Sequence, residues 1–109
     1  MTAGRGIVHS EFPKSKGDEM LWGFQLWVNL PSSLKMCQPM YQDYQADRIP
    51  IFKGEGYSVR VLSGEHGGAK GPIVLKNPGL LFDVRIEEPE STFEHSFPEE
   101  WNSFAYVYE

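Results

Sequence analysis

The sequence predicts an all-β chain, and two observations carry the prediction. Apolar and polar residues alternate wherever a pattern can be read, which is the period-2 signature of half-buried strands. No stretch offers three turns of 3.6-residue periodicity. The first run is Leu21–Asn29, where Trp22, Phe24, Leu26 and Val28 share one face. Similar runs are expected at Tyr57–Leu62, Ile73–Lys76, Leu80–Ile86 and Trp101–Tyr108, separated by Gly, Pro, Asn and acidic turn residues. Trp22 and Trp27 have opposite parity within the first run, so Trp22 is expected to face a core and Trp27 the other side.

The connectors follow from local chemistry. A short helical turn is expected after Pro31 with Ser32 or Ser33 as N-cap, and another near Ala46–Ile49 that stops before Pro50. The segment Ser63–Pro72 holds four glycines and is expected to form a flexible loop between strands. It lacks the GxxxxGK[ST] order of a phosphate cradle, and Lys70 leads into a strand rather than a helix, so nucleotide binding is not indicated.

Composition narrows the function classes. With 109 residues, 40% of them hydrophobic, the chain can build one modest core, so one domain is the ceiling. The single cysteine, Cys37, cannot form an internal disulfide, and no apolar run approaches the ~20 residues of a membrane-spanning helix. Ten Lys and Arg against fifteen Asp and Glu give a net charge of −5. From Asp83 to Glu109 there are eight acidic residues and one basic residue, Arg85. Direct nucleic-acid binding is therefore excluded as an expectation; a protein of this charge would reach DNA through another protein.

The sharpest candidate for chemistry is Ile7-Val8-His9-Ser10-Glu11. Residues two apart on a strand project to one face with Cα atoms roughly 6.5–7 Å apart, so His9 and Glu11 can share a metal ion. An imidazole and a carboxylate, joined by histidines from elsewhere, are the donors of non-haem Fe(II) oxygenases. On spacing alone, the same pair is equally the polar face of an amphipathic strand. His66 in the glycine-rich loop and His95 in an acidic stretch have no partner at ligand spacing, and each is expected to be solvated or locally hydrogen-bonded. Cys37 lacks a neighbouring His or Cys pattern and reads as an inert thiol.

Several blocks of the sequence together resemble the pirin family. They are TAGRGIVHSE (2–11), GFQLWVNLP (23–31), the Lys35-Met36, Pro39 and Tyr41-Gln42 positions, VRVLSGE (59–65), the glycine-rich loop, the Leu80–Val84 strand and WNSFAYVYE (101–109). The resemblance runs through essentially the whole chain. It implies a cupin-type (RmlC-like jelly-roll) fold of two tandem barrels, of which this chain holds an incomplete part. Residues 1–34 would end the N-terminal barrel, 35–53 would connect the two, and 54–109 would begin the C-terminal barrel.

The resemblance also implies an iron ion held by three histidines and a glutamate. His9 and Glu11 stand at the third histidine and the glutamate, while the other two ligands belong to a His-x-His motif that this sequence does not contain. Two functions follow from the same likeness. One is an iron-dependent, redox-sensitive transcriptional coregulator of the nucleus and cytoplasm, whose partner is a transcription factor of the nuclear factor kappa-B type. The other is a quercetin 2,3-dioxygenase, in which Glu11 would also accept the flavonol proton. A third expectation is that the chain is an internal piece without independent activity.

Overall fold

The computed structural model describes residues 1–12, 17 and 20–109. Its regular structure is β, with two single turns of 3₁₀ helix, and the described residues form no closed barrel. Strands β1 (Ile51–Lys53), β2 (Tyr57–Ser63) and β5 (Leu81–Ile86) form an antiparallel sheet in the order β1-β2-β5. Strands β3 (Glu65–His66) and β4 (Ala69–Lys70) form a separate hairpin.

The alternation in β2 is what builds the sheet. Val59 and Val61 are fully buried, and Ser63, two residues further on, is buried beside them. Full burial of each valine contributes about 2 kcal/mol. The register places Phe52 opposite Val59, Val84 opposite Val59 on the other side, and Phe82 opposite Val61, so one face is apolar. The other face carries Lys53, Ser58, Arg60, Asp83 and Arg85, with Arg60 opposite Asp83 and Ser58 opposite Arg85. A register shift between Val61 and Ser63 accommodates Leu62 as an extra residue, which turns the end of β2 toward the β3–β4 hairpin.

The glycine-rich segment is not a flexible loop. Gly67 and Gly68 have φ of +55° and +82°, the left-handed pair that a two-residue hairpin turn requires, and they fold β4 back on β3. Pairing continues beyond the hairpin, where the Gly71 N–H donates to the Gly64 carbonyl at 2.9 Å and the Ile73 N–H to Leu62 at 3.1 Å. A Cβ on Gly67 would enter the Phe52 ring, whereas one on Gly68 would meet open space. The hairpin is thus pressed onto the apolar face of the sheet.

Other expectations met different outcomes. The turns form at Ser32–Leu34 and Ala46–Arg48, but Pro31 is the N-cap of the first and no serine side chain caps it. Leu21–Asn29, Ile73–Lys76 and Trp101–Tyr108 do not join a ladder. Period 2 fixes which residues would share a face, but a strand also needs a partner backbone, and these segments find none among the described residues. Val74 is held instead by a side chain. The Gln42 amide donates to its carbonyl at 2.8 Å and accepts its N–H at 2.9 Å, imitating one rung of a sheet. Strand β1 has no signature in the sequence, because three residues are too few to display alternation.

Two aromatic runs meet without becoming strands. Trp22 and Phe24 pack against Tyr108 with ring centroids 5.3 and 4.9 Å apart, and Phe24 meets Tyr106 at 5.8 Å. Parity is obeyed, since Trp27 lies away from this cluster and is 86% exposed. Trp22 is nevertheless 64% exposed, because the cluster is a layer one ring thick. Tyr108 is anchored by donating to Asp83 Oδ1 at 2.6 Å, and this hydrogen bond, with a smaller desolvation effect, raises its pKa above the usual tyrosine value.

The molecule is open. Its accessible surface is 9430 Å² for 12.4 kDa, whereas a closed fold of that mass exposes about 6100 Å². The radius of gyration is 16.1 Å, against about 13 Å for a compact chain of this length. The surplus surface is of the order covered in an obligate interface, and it includes Trp22, Phe24, Phe104, Tyr106 and Val107.

Two predictions follow from this packing. The chain should associate as concentration rises through the micromolar range, which light scattering on a dilution series would detect; a concentration-independent monomer would show that the exposed aromatic layer is inert. In denaturant unfolding, Gly68→Ala should cost about 1–2 kcal/mol of left-handed strain, and Gly67→Ala should cost more, because the Phe52 clash adds to the same strain. Equal losses at the two positions would show that the Phe52 contact is unimportant.

Candidate functional site

The segment carrying His9 and Glu11 is anchored at its N-terminal end. Thr2 pairs with Met40 through reciprocal backbone bonds of 2.7 and 2.9 Å, and the Arg5 N–H donates to the Cys37 carbonyl at 3.0 Å. Gly4, at φ +51°, lies so close to that carbonyl that a Cβ would collide with it. The TAGRG sequence is therefore a turn held against residues 37–40, and Ile7–Glu11 follows it outside any ladder. Cys37 keeps a free thiol and acts here through its backbone.

His9 and Glu11 come together, with His9 Nε2 and Glu11 Oε1 3.8 Å apart. Their side chains are 37% and 68% exposed. Adjacent donors on an octahedral ion sit about 3 Å apart, so a small rotation would close the pair on one ion. The chemistry of the two groups fits part of an iron site. Among the described residues no group of three or more His, Cys, Asp or Glu could hold a metal, so these residues do not complete one. Two surface depressions lie elsewhere, one at Glu55, Tyr57 and Glu88–Thr92 and one on the charged face of the sheet around Arg60 and Asp83.

The two other histidines, which sequence spacing left apart, are brought together. His66 Nδ1 and His95 Nδ1 are 3.0 Å apart, hydrogen-bonding distance, across 29 residues of sequence. The signal that could have found His95 is its own alternation, since Phe93 and His95 turn inward while Thr92, Glu94 and Ser96 are exposed. His66 gave no such signal, because its position depends on the Gly67-Gly68 turn.

Comparison with known proteins bears on the whole chain. The family model described as Pirin matches residues 1–28, the segment that contains His9 and Glu11. Pirin-1 of Arabidopsis thaliana is 41% identical over 109 residues, covering 100% of this chain and 37% of its own length. The pirin-like protein of Solanum lycopersicum is 42% identical over 109 residues, with 100% and 36% coverage. Pirin of Homo sapiens is 42% identical over 107 residues, covering 98% of this chain and 36% of itself. The chain thus spans little more than a third of the length of these relatives. No solved structure matches it. The likeness to these relatives extends over 98–100% of the chain, and the chain belongs to the pirin family.

Proposed function

We propose that this chain carries part of the iron centre of a pirin-type cupin protein that acts as a redox-sensitive transcriptional coregulator, with His9 and Glu11 as two of the ligands. The supporting observation is the contact of these two side chains at 3.8 Å inside the family-matching segment. An imidazole nitrogen and a carboxylate oxygen are donors that Fe(II) accepts. The remaining ligands come from outside the described residues, as a His-x-His motif would supply them. When bound, the iron supplies a charge that changes with its oxidation state. His9 and Glu11 hold it near the anchored turn, so a change of charge is felt at an exposed surface.

The division of the chain is part of the same reading: residues 1–34 end a first barrel, 35–53 connect, and 54–109 begin a second. The partner is a transcription factor of the nuclear factor kappa-B type, met in the nucleus and cytoplasm. The net charge of −5 supports contact with a protein rather than with DNA.

One observation favours a second reading, flavonol cleavage by a quercetin 2,3-dioxygenase. The Glu11 carboxylate is 68% exposed beside His9 and is free to take a proton from a phenolic substrate. A chain with two donors and a large uncovered surface also suits a piece that is inactive until completed.

Titration of the chain alone with Fe(II) should give a dissociation constant weaker than about 1 μM. Tight stoichiometric binding would show that two ligands suffice. Joining a His-x-His segment from a pirin ahead of Met1 should confer tight binding, and His9→Ala or Glu11→Ala should then weaken it by at least roughly a hundredfold, beyond what a neighbouring group contributes. Retention of affinity in both variants would remove these residues from the site. With that joined protein, redox-dependent capture of the transcription factor supports the coregulator, whereas oxygen uptake with quercetin supports the enzyme.

A further inference from the structure

We propose that His66 and His95 share one proton in a hydrogen bond that latches the 91–97 segment onto the β-sheet, and that the latch opens on mild acidification. The geometry sets the rule. Two imidazoles meeting Nδ1 to Nδ1 at 3.0 Å require one nitrogen to donate and the other to accept. With both rings protonated, two N–H groups and two positive charges would stand face to face and the bond would be lost.

The surroundings make that state costly. His66 lies edge-on to Phe52 of β1 at 4.9 Å and 88°, and near Phe82 of β5 at 5.9 Å and Phe93 at 5.1 Å. His95 lies edge-on to Phe82 at 4.9 Å. Tyr57 of β2 has its ring 6.4 Å from His66, and the charged chain neighbours Glu65 and Glu94 are exposed to solvent. Among the described residues no carboxylate forms an ion pair with either ring, so nothing compensates a second charge. The pair also belongs to no metal-holding group of three.

His66 depends on the bond most, because its Nε2 is buried without a partner and Nδ1 is its one satisfied nitrogen. On the other ring, burial first and the charge of His66 second hold His95 below the usual histidine range. The sign follows directly. A released His95 takes its proton near pH 6.5, whereas the latched one takes it only at lower pH. Across that window the released state holds more protons, so lowering the pH favours release. The segment freed is the one that covers the apolar face of the sheet with Phe93.

Hydrogen exchange of the intact chain, read by mass spectrometry at low concentration and corrected for intrinsic exchange, tests this. Peptides spanning 91–97 should lose protection by on the order of tenfold between pH 7.5 and 5.5, while β2 keeps its own. Exchange at the imidazole C2 positions should show His95 titrating below the usual histidine range. His95→Gln, which keeps a hydrogen-bonding group but cannot titrate, should flatten the pH response of 91–97. Equal protection of the parent at both pH values, or none at either, overturns the latch without reference to the variant. A His95→Gln chain that responds to pH as steeply as the parent overturns the assignment to this pair.

Discussion

Among the described residues, strand β2 is the only element with hydrogen-bonded neighbours on both edges, and the order in this chain is organised around it. Its alternation sends Val59 and Val61 into full burial, and its two ladders satisfy the backbone groups that burial would otherwise leave unpaired. β1 and β5 are strands because β2 offers each a backbone. The extra residue at Leu62 then swings the chain out of the sheet and starts the hairpin over its apolar face.

That arrangement converts a modest aliphatic core into an aromatic one. Phe52, Tyr57, Phe82 and Phe93 surround His66, most of them at the tilted or edge-on angles that aromatic quadrupoles favour. A histidine in that shell has little choice of partner, and the partner it finds is another histidine. The Gly67 turn is the mechanical cause, since the absence of a Cβ there lets the hairpin settle on Phe52 and carries His66 inward. Backbone conformation at one residue thus determines the electrostatics of a group on its neighbour.

The rest of the chain is tied down at single points rather than by ladders. The Thr2–Met40 bridge, the Gln42 amide on Val74 and the Tyr108 hydroxyl on Asp83 each fix one locus. Such isolated bonds contribute about 0.5–1.5 kcal/mol each, too little to replace a buried face. The outcome is a molecule with surplus apolar surface, consistent with a chain that spans 37% of Pirin-1. His9 and Glu11 share this condition, being brought together by local geometry with no third donor among the described residues to make them a site.

The sequence by itself determined the β character, the two longer strands at Tyr57 and Leu80–Ile86, both helical turns, and the closeness of His9 and Glu11. Each is a property of residues within a few positions of one another, where side-chain period and backbone preference act directly. The family was legible for a different reason, because blocks such as TAGRGIVHSE and WNSFAYVYE are long enough to be specific. Tertiary structure alone decided which alternating runs became strands, since Leu21–Asn29 and Trp101–Tyr108 carry as clear a pattern as β5 but lack a backbone partner. It alone joined His66 to His95 across 29 residues. No local rule could do so, because the contact exists only after a glycine turn has folded one segment over a sheet built by others.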